Sequence, residues 1–461
     1  MSKTFQHLIL IVFVIITSCS NENPTKVNNQ VVIPPHYIEV PDYYPYIQMA
    51  LNNSENGDTI IVKPGIYYEN IDFVGKDIVL SSLFLLSNNK AHICSTRING
   101  SQNGRSVVGF KNGEGKESVL IGFTIQNGNT DYGGGIYIRD SSPTLEHLNI
   151  IGNSVERTGG GIYITGESNP IINSVIIEEN LADVGAGISA RYSSFTLNNA
   201  VVNRNSAITS GGGIQCTLTK KIFINNSIIS NNDVTEVQGG GIYLSNIDSV
   251  LLNNVSVTAN RAQQGGGIYS GSAINFQMTN SVINNNTSDS QGGGVFSVSG
   301  SYKFVSTLIY RNNASEGGGI SCVTSDMLLE NVTLCDNVAE EIGGIYVYGI
   351  LTIANSIVWG NSGSEIECAT GQVTVLYSDI ENGQDSIRNG DIRQIQWLEG
   401  NTDLEPNFIN TDSANFHLLP DSPCIDAGIN LYVVDGDTVI DIAPDEFIGD
   451  APDMGAFEFV E

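Results

Sequence analysis

The chain has 461 residues, of which 49 are acidic and 20 basic, giving a formal charge of −29. So negative a surface excludes nucleic acid and anionic membrane surfaces as partners. It also argues against a polyanionic polysaccharide substrate, unless a basic patch or bound calcium reverses the field.

Residues 1–18 read as an export signal: Lys3 supplies a weak basic start, and Leu8 to Ile16 form an apolar run too short to span a bilayer. The following Ile16-Thr17-Ser18-Cys19 resembles the lipobox of bacterial lipoproteins. That resemblance implies cleavage before Cys19, lipid modification of Cys19, and membrane attachment through this anchor alone, at the outer membrane or cell surface of a bacterium. Residues 19–36 are polar, contain Pro24, Pro34 and Pro35, and suit a flexible tether.

Residues 37–400 are expected to form the folded rod. Near its start, Pro45 is well placed to open a helix, and Ile47, Ala50 and Leu51 share one helical face. A short amphipathic helix there would plug the open end of a stacked structure and protect its free strand edges. The phrases Asn56-Gly-Asp-Thr-Ile-Ile-Val-Lys-Pro-Gly-Ile-Tyr-Tyr-Glu-Asn70 and Gly122-Phe-Thr-Ile-Gln-Asn127 resemble first-coil and recurring phrases of the pectin-lyase-like superfamily. That superfamily contains lyases, hydrolases, esterases and adhesins, so the resemblance implies a fold and export rather than a chemistry.

Between residues 133 and 345 a glycine cluster followed by an aliphatic residue recurs nine times. The aliphatic marker falls at Ile136, Ile162, Ile188, Ile214, Ile242, Ile268, Val295, Ile320 and Ile345, in steps of 25 to 28. An Asn runs in phase at Asn153, Asn180, Asn205, Asn232, Asn260, Asn286, Asn312, Asn337 and Asn361. The segments around both markers alternate with period two, as strands with one buried face do. A leucine-rich repeat lacks its LxxLxL skeleton here, a calcium-binding nonapeptide roll lacks its spacing, and a propeller blade needs about 40 residues. The period predicts an all-β, single-stranded, right-handed parallel β-helix with three strands per coil of about 26 residues and a short N-terminal capping helix. About thirteen coils at about 4.8 Å each would make a rod of about 60 Å.

Stacked turns explain both markers. Glycine tolerates positive φ and close backbone approach. Asn is the next best residue in the left-handed region, and a column of its amides can satisfy itself down the stack. Cys216 and Cys322 occupy one repeat position four coils apart, beyond disulfide reach, and read as buried thiols. The repeats also resemble those of polymorphic outer-membrane proteins.

Residues 401–461 are expected to cap the C-terminal end. Asn355-Ser-Ile-Val-Trp-Gly-Asn361, Asp403-Leu-Glu-Pro-Asn-Phe408, Ser422-Pro-Cys-Ile-Asp-Ala-Gly428 and Pro452-Asp-Met-Gly-Ala-Phe-Glu458 resemble the tail of choice-of-anchor β-helix proteins. Within this segment Asp435, Asp437 and Asp441 lie in an oxygen-rich stretch that can hold a structural calcium ion.

Chemistry is harder to place. The GHG and RIK phrases of polygalacturonase-like hydrolases are missing, and the outward Asp residues do not recur in register as calcium-dependent elimination requires. The nearest basic pair is Arg139 and Arg191, two coils apart with Thr165 between them. The residue after each marker should point outward. Two aromatic strips result, Tyr137–Tyr163 and Tyr243–Tyr269–Phe296. Rings in line either stack on sugars or shield the sheet by stacking on each other. The sequence therefore favours non-catalytic binding or adhesion to a polysaccharide or surface protein, with no cofactor required. A polysaccharide lyase or glycoside hydrolase, and a structural envelope protein, remain the alternatives.

Overall fold

The structure is a computed structural model. It describes residues 37–100, 104–389, 395–434 and 437–460; the expected signal, Cys19 and tether lie outside the described residues.

The chain winds into a parallel β-solenoid of about 14 turns. The coil that starts at Ile162 shows the plan. Its strands Ile162–Thr165, Ile171–Asn173 and Ile176–Glu178 define faces A, B and C. Each pairs in parallel with its equivalent one coil later, Ile162 with Ile188, Ile171 with Thr196 and Ile176 with Val201. A fourth short strand, Leu181–Val184, was not expected from the sequence. It belongs to a separate seven-stranded ladder, face D, that joins the Asn corner to the next glycine cluster.

Alternation sorts the side chains. Ile136 and Ile138 point inward and are fully buried, and so are Ile162, Ile164, Ile172 and Ile177. One continuous apolar core runs from Val40 to Ile387. Cys216 and Cys322 fill inward positions as free, buried thiols. At the N-terminal end the helix Ile47–Asn53 lays Ile47, Ala50 and Leu51 on this core. Its first turn is capped from a distance, since Ile47 N and Gln48 N donate to the Glu69 carboxylate at 2.8 and 2.9 Å.

The Asn column forms a ladder inside the corner between faces C and D. Each Asn from Asn153 to Asn337 donates Nδ2 to the Oδ1 of the next, as Asn232 does to Asn260 at 3.0 Å. The backbone N–H donates to the same oxygen, 2.9 Å for Asn232. The second Nδ2 hydrogen goes to a face C carbonyl, that of Ile229 for Asn260 at 2.9 Å. Every amide group is thus used, as burial demands. The expectation that these Asn residues adopt the left-handed conformation is corrected: that conformation belongs to the residue before each, such as Glu179 at φ 57°, Arg204 at 53° and Ala259 at 54°. The Asn itself stays outside this region so that its side chain turns into the corner.

The glycine cluster makes room for that ladder. Gly159 opens its cluster at φ +74°, whereas Gly241, the third of its cluster, is needed for space. A Cβ on Gly241 would lie 2.6 Å from the Gly267 carbonyl oxygen and 2.9 Å from Asn260 Nδ2.

The C-terminal segment departs from the expected axial cap. Its strands pair antiparallel, Phe408–Asn410 with Asn415–Leu418 and Leu431–Val434 with Asp437–Asp441. Its apolar side chains pack on the outside of face C instead of the axial core: Phe416 and Phe457 join Val282, Leu308, Tyr310 and Cys335 in one cluster. Asn355 exchanges two hydrogen bonds with Ile429, and Ala456 N donates to Thr333 Oγ1 at 2.9 Å. The segment is a clasp along the flank.

Asn260→Ala should strand the donors of Asn232 in a dry corner and cost about 3 kcal/mol or more, read as a lowered urea midpoint. Exposed Asn275→Ala should stay within about 0.5 kcal/mol of wild type.

Candidate functional site

Face A gives the richest outward surface. The position after each marker stacks in strict register, Tyr137 on Tyr163 and Tyr243 on Tyr269 and then Phe296. The two aromatic strips are separated by Ser189 and Gln215, whose side chains bond each other with Ser189 Oγ donating to Gln215 Oε1 at 2.6 Å.

Ring geometry decides what these strips can do. Tyr137 and Tyr163 have centroids 5.7 Å apart and planes 12° from parallel; Tyr243 and Tyr269 are 5.1 Å apart at 6°. Parallel planes in contact sit about 3.5 Å apart, so rings with centroids this far apart overlap like shingles. They leave part of one face open to solvent. Tyr269 leans along its strand over Gly271, where a Cβ would meet its ring Cε1 at 3.4 Å. Phe296 behaves differently. It is tilted 58° to Tyr269 and only 5% exposed, so it closes the strip from below instead of offering a contact.

A polar row borders the second strip. Face D positions Gln238 beside Gln264, with Gln238 Nε2 donating to Gln264 Oε1 at 2.9 Å. Next along the row, Gln291 Nε2 donates to Glu316 Oε2 at 2.7 Å. Burial pushes the Tyr269 phenol above its ordinary range, with a smaller rise from neighbouring Tyr243, and a hydrogen bond with the Gln238 side chain opposes the shift. Each of these glutamines stands immediately before its glycine cluster, a position that varies in the other coils as Tyr132, Thr158, Val184 and Ser210, so the row covers too few coils to stand out as a repeat marker.

The basic pair is placed but not convergent. Arg139 and Arg191 share a column with Thr165 between them, about 10 Å apart at the rung spacing. Arg139 Nε lies 3.7 Å from Asp140, and Arg191 stacks over the Tyr192 ring at 5.0 Å while its Nη2 donates to the Tyr192 hydroxyl at 3.3 Å. Each guanidinium serves its own rung. Of the proposed calcium ligands, Asp435 lies outside the described residues, Asp437 occupies a strand of the clasp, and Asp441 is exposed. Among the described residues no group of three or more His, Cys, Asp or Glu side chains is arranged to hold a metal.

One buried carboxyl also escaped sequence reading. The Asn ladder ends at Asn361, whose N–H and Nδ2 donate to Glu365 Oε1 and Oε2 at 3.1 and 2.6 Å. Glu365 therefore stands in for the next Asn. Burial, and then a hydrogen bond shared with Glu381, raise its pKa to about 8 against the opposing Asn361 donors. Its signal in the sequence is faint, four residues after the last marker.

The chain matches the family model described as "Right handed beta helix region" over residues 74–228 and 222–380. Among solved structures, the pectate lyase Pel9A is similar at 13% identity and a TM-score of 0.39, over 92% of this chain and 96% of that one. XylC, in complex with xylose, is similar at 11% identity and a TM-score of 0.39, over 81% and 87%. PfbA, a surface adhesin of Streptococcus pneumoniae, is similar at 11% and 0.29, over 86% and 94%. At these identities and scores the three likenesses say nothing about activity. No curated protein sequence matches significantly.

Glu365 binds its proton more tightly folded than unfolded, so its contribution to stability is complete below the ordinary carboxyl range near 4.5 and is lost as pH rises through about 8. The thermal midpoint should fall from pH 5 to pH 9, and Glu365→Gln should flatten that fall.

Proposed function

The chain belongs to the right-handed β-helix family, and we propose that this member is an exported, surface-displayed rod whose role is non-catalytic: it binds glycan or another surface component. The observation that carries the reading is the outward column of face A. It offers half-buried, shingled tyrosines in line, with a row of amides beside them. Such a surface supplies broad, shape-tolerant contact and adaptable hydrogen bonding. A rigid scaffold holds it, so binding costs little ordering.

Export and anchoring are supported by the apolar run before Ile16-Thr-Ser-Cys19. The acidic surface suits a protein displayed in water and keeps it off polyanions. The competing reading, a polysaccharide lyase or hydrolase, requires acid and base groups that converge on one substrate atom. Arg139 and Arg191 are the basic groups in register on face A, and each faces a partner in its own rung.

Two measurements check the proposal. The full chain should be retained on an insoluble glycan and release no soluble sugar, and Tyr269→Ala should weaken retention by about tenfold. Release of sugar would favour the enzyme, and indifference of wild type to every glycan would leave binding to another surface component or a structural envelope role. Cys19→Ser should shift the protein from the membrane fraction to the soluble fraction.

A further inference from the structure

We propose that face A between Gln238 and Phe296 is a binding site for a neutral, hydroxyl-rich polysaccharide laid along the rod axis, about one sugar to a rung. This rests on the glycan-binding reading above and narrows it to a place and a chemical class.

Two unlike rows run side by side through these rungs. Tyr243 and Tyr269 shingle at 5.1 Å, and Tyr269 lies down over Gly271, which turns ring surface outward. Gln238, Gln264 and Gln291 follow on the D side, each immediately before the glycine cluster that leads into face A. An aromatic face packs against the C–H face of a sugar ring, and a primary amide both donates to and accepts from hydroxyls. Repetition at about 4.8 Å offers the same pair of groups again at each step, which suits a polymer of like units lying parallel to the axis.

The two rows change together. Alongside the first strip the D position is occupied by Tyr132 and Thr158, and on the two coils between the strips by Val184 and Ser210. It switches to Gln238, Gln264 and then Gln291 where the second strip begins. A strip that served only to shield the sheet would have no need of that switch, since the first strip shields it with other neighbours.

Charge selects the class. The chain carries −29 overall, which repels polyanions at long range. Within these rungs Arg261 is held by Asp289 at 3.1 Å, and Lys303 is held on face B by Glu330 at 2.9 Å. Neither is placed to reverse the field over the amide row. At the far end Glu316 accepts from Gln291, and buried, tilted Phe296 closes the aromatic strip.

Affinity electrophoresis of the full chain tests this, with galactomannan and mixed-linkage β-glucan as neutral probes and polygalacturonate as the anionic one. At least one neutral probe should retard the protein, with little change between low and high salt, and polygalacturonate should not. Tyr269→Ala should weaken retardation about tenfold and Gln264→Ala about threefold. Tyr269→Phe, which keeps the shingled ring, should retain most of it, and Tyr163→Ala on the first strip should retain all of it. Circular dichroism of each variant separates lost binding from lost fold. Retardation by polygalacturonate alone would overturn the neutral class. Neutral retardation that survives both Tyr269→Ala and Gln264→Ala would overturn the site while leaving glycan binding intact. Retardation by none of the probes would overturn the site and leave only the surface-component part of the reading it rests on.

Discussion

Everything in this rod depends on how closely one backbone can approach the next. Across a rung boundary the carbonyl of each third glycine sits where a Cβ of the preceding rung would have to go: 2.5 Å for Gly161, 2.4 Å for Gly187, 2.6 Å for Gly241. Glycine permits the approach, and the approach brings each Asn amide within 3 Å of the next. Glycine and Asn are therefore one device with two parts. The steric part lets the corner close, and the hydrogen-bonded part makes its closure favourable in a place that water does not reach.

A locked corner has a consequence on the outside. When register cannot slip, a residue type placed at one outward position forms a column along the axis. Most columns are consumed by architecture. On face C the outward positions at Tyr310, Cys335 and Trp359 are covered by the clasp. On face B, Asn173, Asn198 and Asn225 bond one another in a second, outer ladder that starts from Glu146. Face A keeps tyrosines and amides partly open to water, which is why function is assigned there.

The architecture was legible because its cause is periodic. A marker every 25 to 28 residues can be read without knowing any contact, and so can the alternation that makes Ile136 and Ile138 inward and Tyr137 outward. Details that depend on a single corner were not legible. Face D has strands of two to five residues and no alternation. The left-handed residue precedes the Asn and is chemically unmarked, as Glu179, Arg204 and Ala259 show. The clasp looked like an axial cap because its resemblance concerns sequence order. Its lateral seat was signalled only by outward positions turning apolar at Tyr310 and Trp359. In the candidate site the tyrosine column followed directly from the markers. The burial of Phe296 and the seat of Tyr269 over Gly271 did not follow, because each depends on how a side chain lies against its neighbours and not on the repeat.

Hydroxyl-radical footprinting of the tyrosines, with and without a bound neutral polysaccharide, tests most directly the claim that a stacked column has become a binding face. A polysaccharide bound along face A should reduce oxidation at Tyr243 and Tyr269 and leave Tyr137, Tyr163 and exposed Tyr348 unchanged. Equal oxidation of Tyr243 and Tyr269 in the free and bound protein, or protection confined to another face, would contradict it.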